Sequence, residues 1–177
     1  KPLCEQAKKA LGGMPLLRLS SDTLLEYELP ASNILIIENE QTCLSLPEIT
    51  NTIAVAGGGK DISWMKAFWL ATKRVAYWGD VDTEGLKILS DVRSKCSAVI
   101  PLMMDLATVE AYQERMVDEI EYVSEPIALT EDELILFRNL KSRRYQRNRL
   151  EQERIPLDYV VKIINEWIYR TTSLPSH

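Results

Sequence analysis

Short apolar runs alternate with stretches of helical periodicity over the first 105 residues of the chain. Short runs rich in β-branched and aromatic residues are typical of buried parallel strands, and the stretches between them are typical of connecting helices. The predicted strands are residues 33–37, 52–56, 74–79 and 98–103, and the predicted helices between them are residues 39–46, 62–73 and 84–93. This order predicts the α/β class, with a parallel sheet of about four strands flanked by helices.

The two ends of the chain show different patterns. Residues 1–30 form an N-terminal segment, in which residues 16–29 mix apolar and polar positions and predict a hairpin or an edge strand. A remnant of a preceding domain is the other interpretation of this segment. Beyond residue 106 the periodicity is helical, with predicted helices over residues 106–116, 130–140 and 157–168. We therefore assign residues 31–125 to the core domain and residues 126–177 to a helical C-terminal extension.

An acidic residue follows three of the four predicted strands. Glu38 follows the first strand, Asp80 the third and Asp105 the last, and Asp82 lies two residues beyond Asp80. Because ligands of parallel α/β sheets bind beyond the carboxyl ends of the strands, we expect these acids to line one edge. Carboxylate oxygens are the ligands that Mg²⁺ and Mn²⁺ prefer. Two other interpretations stay open: Asp80 and Asp82 as turn and N-cap residues, and Asp105 as the N-cap of the following helix.

The residues that this chain lacks narrow its chemistry. The one histidine, His177, is the last residue, so a Ser-His-Asp nucleophile or a histidine-ligated zinc site is not expected. The three cysteines are widely spaced and odd in number, which argues against a disulfide framework and indicates a reducing, cytoplasmic location. No apolar run approaches the roughly 20 residues that span a bilayer, so no membrane contact is expected. Chemistry carried by carboxylates remains.

Four sequence strings resemble a known family. They are residues 36–40 (IIENE), 77–85 (YWGDVDTEG), 102–105 (LMMD) and 150–156 (LEQERIP). A strand-end glutamate with an Asp-x-Asp string resembles the Toprim domain of topoisomerases, primases and nucleases. The fuller strings are similar to the C-terminal Toprim domain of the JetD family, the nuclease subunits of the Wadjet anti-plasmid systems, which are related to the topoisomerase VI A subunit. The resemblance implies a Toprim (Rossmann-like) sheet with a helical C-terminal extension.

The resemblance also implies an activity and a set of roles. Glu38, Asp80 and Asp82 would be the catalytic residues of a metal-dependent DNA endonuclease, and the same three with Asp105 would hold Mg²⁺ or Mn²⁺. Cleavage by water would act on double-stranded circular plasmid DNA delivered by an SMC-like (MukBEF-like) complex. The resemblance further implies a homodimer.

Charge is unevenly distributed along the C-terminal half. Ten acidic residues and one basic residue lie between positions 105 and 133, whereas residues 138–149 contain six basic residues and no acidic one. One interpretation is a stripe that contacts DNA phosphates, with Lys60, Arg143, Arg144 and Arg147 as nucleic-acid contacts. The other is an exposed helix face that pairs with the acidic block.

Two rival functions fit parts of the sequence. A phosphatase of the haloacid dehalogenase type also uses Asp-x-Asp after a strand, but residues 84–85 match its apolar continuation poorly and Glu38 has no role in it. The second rival is a non-catalytic module that bridges DNA and partner subunits. The net charge of −5 is unfavourable for an isolated DNA-binding protein, because phosphates are repelled.

Overall fold

A parallel sheet lies at the centre of the computed structural model of the protein, which describes residues 1–57, 61–120 and 123–170. Within these residues four strands pair in the order β2-β1-β3-β4, and each pairing is parallel. The strands are β1 (Asn33–Ile37), β2 (Thr52–Ala56), β3 (Arg74–Trp78) and β4 (Ile100–Pro101). The predicted α/β sheet of four strands is confirmed.

Helices flank the sheet and form the C-terminal part of the chain. They are α1 (Glu5–Ala10), α2 (Ser21–Glu26), α3 (Glu40–Ser45), α4 (Thr83–Lys95), α5 (Leu106–Tyr112), α6 (Glu131–Lys141) and α7 (Leu157–Tyr169). The helices predicted over residues 39–46, 84–93, 130–140 and 157–168 correspond to α3, α4, α6 and α7. Local capping explains α6, because Thr130 and Glu133 form a capping box at its start.

The order of the strands creates a crevice at the carboxyl ends of β1 and β3. From β1 the chain reaches β2 on one side, and it then returns to place β3 on the other side. All five residues of β1 are buried, as expected for a central parallel strand covered on both faces. Ile37 pairs with Trp78 in register, so the residues that follow β1 and β3 are neighbours. Ligand sites of α/β proteins form where the connections diverge in this way.

The last predicted strand is much shorter than expected. Residues 98–103 were expected to be extended, but β4 contains only Ile100 and Pro101. Pro101 has no N–H to donate to a neighbouring strand, and Met103 has a φ of 58°, outside the extended region. Strand pairing therefore stops before Asp105.

The helix predicted over residues 62–73 is wrong. Two 3₁₀ segments, Ser63–Lys66 and Phe68–Thr72, replace it, and Ala67 between them is extended. Phe68 is 97% exposed although it lies four residues after the buried Trp64. One continuous α-helix would place these two side chains on the same face, so the helix breaks.

The hairpin predicted over residues 16–29 is also wrong. The structure forms α2 there, because the Ser20 side chain accepts a hydrogen bond from the Thr23 backbone and acts as an N-cap. The polar residues 20–22 therefore begin a helix. A different part of the N-terminal segment reaches the sheet edge, where Pro2 forms an antiparallel bridge with Ile53.

One hydrophobic core joins the sheet to the C-terminal helices. The buried residues of this core include Leu3 near the start of the chain and Trp167 in α7. Helix α6 is additionally tied to α4 by Arg93, which donates two hydrogen bonds to the Glu133 carboxylate at 2.6 and 2.7 Å. Among the helices of the described ranges, none combines the length and the apolar composition needed to cross a bilayer.

Replacing Glu133 is expected to destabilise the protein in a pH-dependent way. Glu133→Gln should lower the free energy of unfolding by about 3 kcal/mol at pH 7, because Arg93, whose side chain is only 17% exposed, loses its charged partner. Burial alone would raise the pKa of Glu133, but the hydrogen bonds from Arg93 and Thr130 lower it below the ordinary value of 4.5. The contribution is therefore complete above about pH 4.5 and is lost as the pH falls through the lowered pKa.

Urea denaturation of both proteins between pH 3 and pH 8 measures this difference. The control is Glu125→Gln, which removes a more exposed pair with Arg138 and should leave stability nearly unchanged. A Glu133→Gln effect that stayed constant down to pH 3 would contradict the assignment.

Candidate functional site

The carboxylate of Glu38 lies against the segment that follows β3. Its backbone N–H donates to the Trp78 carbonyl at 3.1 Å, which continues the pairing of β1 with β3. Its Oε2 accepts a hydrogen bond from the Asp80 N–H at 3.2 Å and lies 3.5 Å from the Tyr77 hydroxyl. A Cβ at Gly79 would come within 2.8 Å of this oxygen, so the glycine permits the close approach.

Asp80 and Asp82 are buried beside Glu38. Asp80 is 8% exposed, and its Oδ1 accepts a hydrogen bond from the Gln152 N–H at 2.8 Å. Asp82 is 2% exposed and is the N-cap of α4, where its Oδ1 accepts from the Gly85 N–H at 2.6 Å. Asp82 is therefore an N-cap, as predicted, and it also lies next to the other acidic residues.

Arg149 brings a positive charge into this cluster. Its guanidinium lies 2.5 Å from Asp80, 3.4 Å from Asp82 and 3.0 Å from Glu119. The chain returns to the site here because Leu150 and Val81 exchange two backbone hydrogen bonds, at 2.9 and 3.1 Å. Glu119 also lies within hydrogen-bonding reach of Asp82. We call the four acids Glu38, Asp80, Asp82 and Glu119, together with Arg149, the acidic cluster.

Sequence reasoning did not identify Glu119, Arg149 or Gln152 as members of the site. Gln152 donates its backbone N–H to Asp80, and its side-chain amide donates to the Trp78 carbonyl. The available signals were indirect. Gln152 belongs to the string of residues 150–156 that resembles the JetD family. Glu119 lies in the acidic block and Arg149 in the basic stripe, and one interpretation of the stripe was that it pairs with the acidic block.

Crowding of negative charge alters the protonation of the site. Burial, and next the charge of Asp80, raise the pKa of Glu38 to about 7. Burial also raises the pKa of Asp82, although the Gly85 N–H and Arg149 oppose the shift. Burial would lower the pKa of the Arg149 guanidinium, but the carboxylates of Asp80 and Asp82 raise it. The site therefore has more carboxylate charge than one arginine neutralises.

Asp105 does not join these acids by any contact. It is the N-cap of α5, where its Oδ1 accepts from the Thr108 N–H at 2.7 Å. It lines a cleft of about 380 Å³ between β4 and α7, together with Arg74 and Trp167. The N-cap interpretation of Asp105 is therefore confirmed, and its place among the metal ligands stays a prediction.

The oxygen-rich donor set of the cluster fits a hard divalent cation in its chemistry. The carboxylates already converge on one positive charge, the Arg149 guanidinium. In the arrangement of residues 1–57, 61–120 and 123–170, however, no three Asp, Glu, His or Cys side chains are placed to hold a metal ion.

The basic stripe is largely engaged with the acidic block. Arg143 lies 2.8 Å from Asp118, and Arg138 forms an ion pair with Glu125. Arg147 donates to the Met116 carbonyl at 2.7 Å, and Arg144 is exposed. The interpretation that the stripe pairs with the acidic block therefore describes Arg138 and Arg143. Lys60, the remaining predicted DNA contact, lies outside the described residues.

These features define the class of protein. A parallel sheet of order β2-β1-β3-β4, with a glutamate after β1 and an Asp-x-Asp string after β3, is consistent with a Toprim-like α/β fold. The family is identified by comparison: the chain belongs to the family described as "Wadjet protein JetD, C-terminal", whose model matches residues 1–164. No curated protein matches the chain. The resemblance to JetD is confirmed, and membership makes the chain a component of a Wadjet defence system, which implies a multi-subunit complex.

Proposed function

We propose that this chain is the metal-dependent DNA endonuclease domain of its Wadjet complex. The observation that carries the proposal is the convergence of Glu38, Asp80 and Asp82 at the carboxyl ends of β1 and β3. Carboxylates placed at such a crevice are suited to hold a cation beside a bound phosphodiester. Family membership supports the assignment because it associates the site with a plasmid-defence system.

The proposed roles follow from the surroundings of each residue. Asp80 and Asp82 would hold Mg²⁺ or Mn²⁺, which supplies charge stabilisation to the phosphate oxygens and activates water. Glu38 would be a further ligand or the general base. Its Oε2 can hold a proton near neutral pH because its pKa is raised to about 7, which is the range in which a general base is most effective.

Glu38 also bears on the rival phosphatase. A haloacid dehalogenase mechanism uses the first aspartate as nucleophile and the second as acid, and it gives Glu38 no role. In this chain Glu38 hydrogen bonds to the backbone of Asp80. That contact favours a site in which the glutamate acts together with the Asp-x-Asp pair, as in the Toprim scheme.

DNA binding by the proposed nuclease would depend on other subunits. The net charge is −5, and Arg138 and Arg143 already have acidic partners. Exposed Arg144 is the member of the stripe best placed to meet a phosphate. We therefore propose that circular double-stranded DNA is delivered by an SMC-like, MukBEF-like complex to a homodimer of the full protein. We also propose that the chain is related to the topoisomerase VI A subunit.

Metal-dependent cleavage of circular DNA tests the proposed function. In the assembled complex, the wild-type protein should cut closed circular plasmid DNA with Mn²⁺ or Mg²⁺ and should be inactive in EDTA. Glu38→Gln should slow cleavage by at least about 100-fold, because loss of a general base or ligand costs that much.

Glu125→Gln is the matched control and should retain cleavage within a few fold, since Glu125 pairs with Arg138 at the surface. Equal rates for the wild type and Glu38→Gln, or full cleavage in EDTA, would exclude the proposal.

A further inference from the structure

Arg149 belongs to the basic stripe, but its side chain lies among the carboxylates of the acidic cluster. Three of the four acids in the cluster, Asp80, Asp82 and Glu119, lie within 3.4 Å of its guanidinium nitrogens. The side chain is 32% exposed, whereas those of the three acids are 11%, 4% and 10% exposed. Arg149 is therefore more exposed than the three carboxylates that it contacts.

We propose that Arg149 and the divalent cation compete for the same carboxylate oxygens, so that the guanidinium leaves Asp80 and Asp82 when the cation binds. This inference rests on the proposed function and adds a positioning residue to it. It explains why the donor set suits a hard cation although the carboxylates, as they stand, are not arranged around one.

Both cations cannot share the same oxygens. The Arg149 guanidinium lies 2.5 Å from Asp80 Oδ2, and its Nε lies 3.4 Å from Asp82 Oδ2. A metal ion bound to these two oxygens would lie within a few ångströms of the guanidinium, where two positive charges repel strongly in a partly buried site. The geometry of the ion pairs therefore indicates exchange rather than simultaneous binding.

The surroundings allow the side chain to move while its backbone stays fixed. The Arg149 backbone N–H donates to the Val117 carbonyl at 3.1 Å, and the Arg149 carbonyl accepts from the Val117 N–H at 2.8 Å. Leu150 is held to Val81 in the same manner. Because these contacts fix only the backbone and the side chain is 32% exposed, a rotation of the side chain can free the carboxylates.

Affinity for Mn²⁺ alone tests this competition. Arg149→Gln removes the competing charge and should bind Mn²⁺ at least about tenfold more tightly than the wild type, measured by calorimetry or by electron paramagnetic resonance. Arg147→Gln is the matched control, because Arg147 donates to the Met116 carbonyl and to no carboxylate, and its Mn²⁺ affinity should equal that of the wild type. Equal or weaker binding by Arg149→Gln would overturn the proposal.

A second variant and a second measurement distinguish the competition from a folding defect of Arg149→Gln. Arg149→Lys keeps one positive charge but cannot bridge three carboxylates, so its Mn²⁺ affinity should lie between those of the wild type and Arg149→Gln. In wild-type protein, Mg²⁺ should shift the NMR signal of the Arg149 Nε–H and speed its exchange with water. An Nε–H signal that Mg²⁺ leaves unchanged, while Mg²⁺ binding is detected, would overturn the exchange.

The outcomes separate this inference from the proposed function. If neither the wild type nor Arg149→Gln binds Mn²⁺, both are overturned. If both proteins bind Mn²⁺ equally and Asp80→Asn abolishes binding, the metal site stands and only the competition is overturned.

Discussion

Asp80→Asn is expected to lower the rate of metal-dependent DNA cleavage at least about 1000-fold, which corresponds to about 4 kcal/mol of transition-state stabilisation. Asp80 is 8% exposed and lies between Glu38 and Arg149, so the amide replaces the carboxylate at the centre of the cluster. The amide keeps an oxygen that can accept from the Gln152 N–H, which bonds to Asp80 Oδ1 at 2.8 Å. The position of the segment around Gln152 should therefore be retained.

The same substitution should change stability much less than activity. Arg149 keeps Asp82 and Glu119 as partners, and removal of one negative charge relieves the repulsion that raises the pKa of Glu38. We expect the free energy of unfolding to change by about 1 kcal/mol or less. Cleavage rates and urea denaturation measure the two effects separately.

Asp118→Asn is the control for Asp80→Asn. Asp118 belongs to the acidic block of residues 105–133 and pairs with Arg143 at the surface, so its loss should leave cleavage within a few fold. Cleavage by Asp80→Asn within tenfold of the wild-type rate would contradict the role of Asp80.

Gly85→Ala should produce the largest loss of stability among single substitutions near the site. A Cβ at residue 85 would lie 2.0 Å from the backbone carbonyl oxygen of Asp80. The clash is with backbone, so the first turn of α4 would have to move away from the end of β3. Alanine is favoured over glycine in helices by about 1 kcal/mol, but a clash of this kind costs at least about 3 kcal/mol and therefore dominates.

Gly79→Ala is the matched comparison for Gly85→Ala. A Cβ there would meet the Tyr77 hydroxyl at 2.7 Å and Glu38 Oε2 at 2.8 Å, which are the ends of side chains that can yield. We expect a loss of about 1 kcal/mol in stability together with slower cleavage, because the Glu38 carboxylate is displaced. Thermal unfolding ranks the two variants, and a Gly85→Ala protein as stable as the wild type would refute the close approach of α4 to β3.

The part of the site that depends on strand ends could be predicted from the sequence. Residues 33–37 and 74–78 are short apolar runs, and the rule that parallel strands end at one edge brings Glu38 next to Asp80. The prediction depended only on local pattern and on the geometry of a parallel sheet. It succeeded because β1 and β3 are adjacent in register.

The remaining members depend on contacts between distant parts of the chain. Arg149 reaches Asp80 across 69 residues through the pairing of Leu150 with Val81, and no local pattern specifies that pairing. Asp105 shows the opposite case: its position after an apolar run suggested a strand end, but Pro101 and the backbone of Met103 end the strand early. The sequence also left open whether the basic stripe pairs with the acidic block, because complementary charge does not determine which residues meet.

Anomalous diffraction from crystals of the protein grown with Mn²⁺ tests the central claim most directly. We predict a manganese peak about 2.1 Å from carboxylate oxygens of Asp80 and Asp82, with Glu38 facing the same ion and the Arg149 guanidinium turned away from it. A manganese peak at another place, or none at these two aspartates under conditions that support cleavage, would contradict the account.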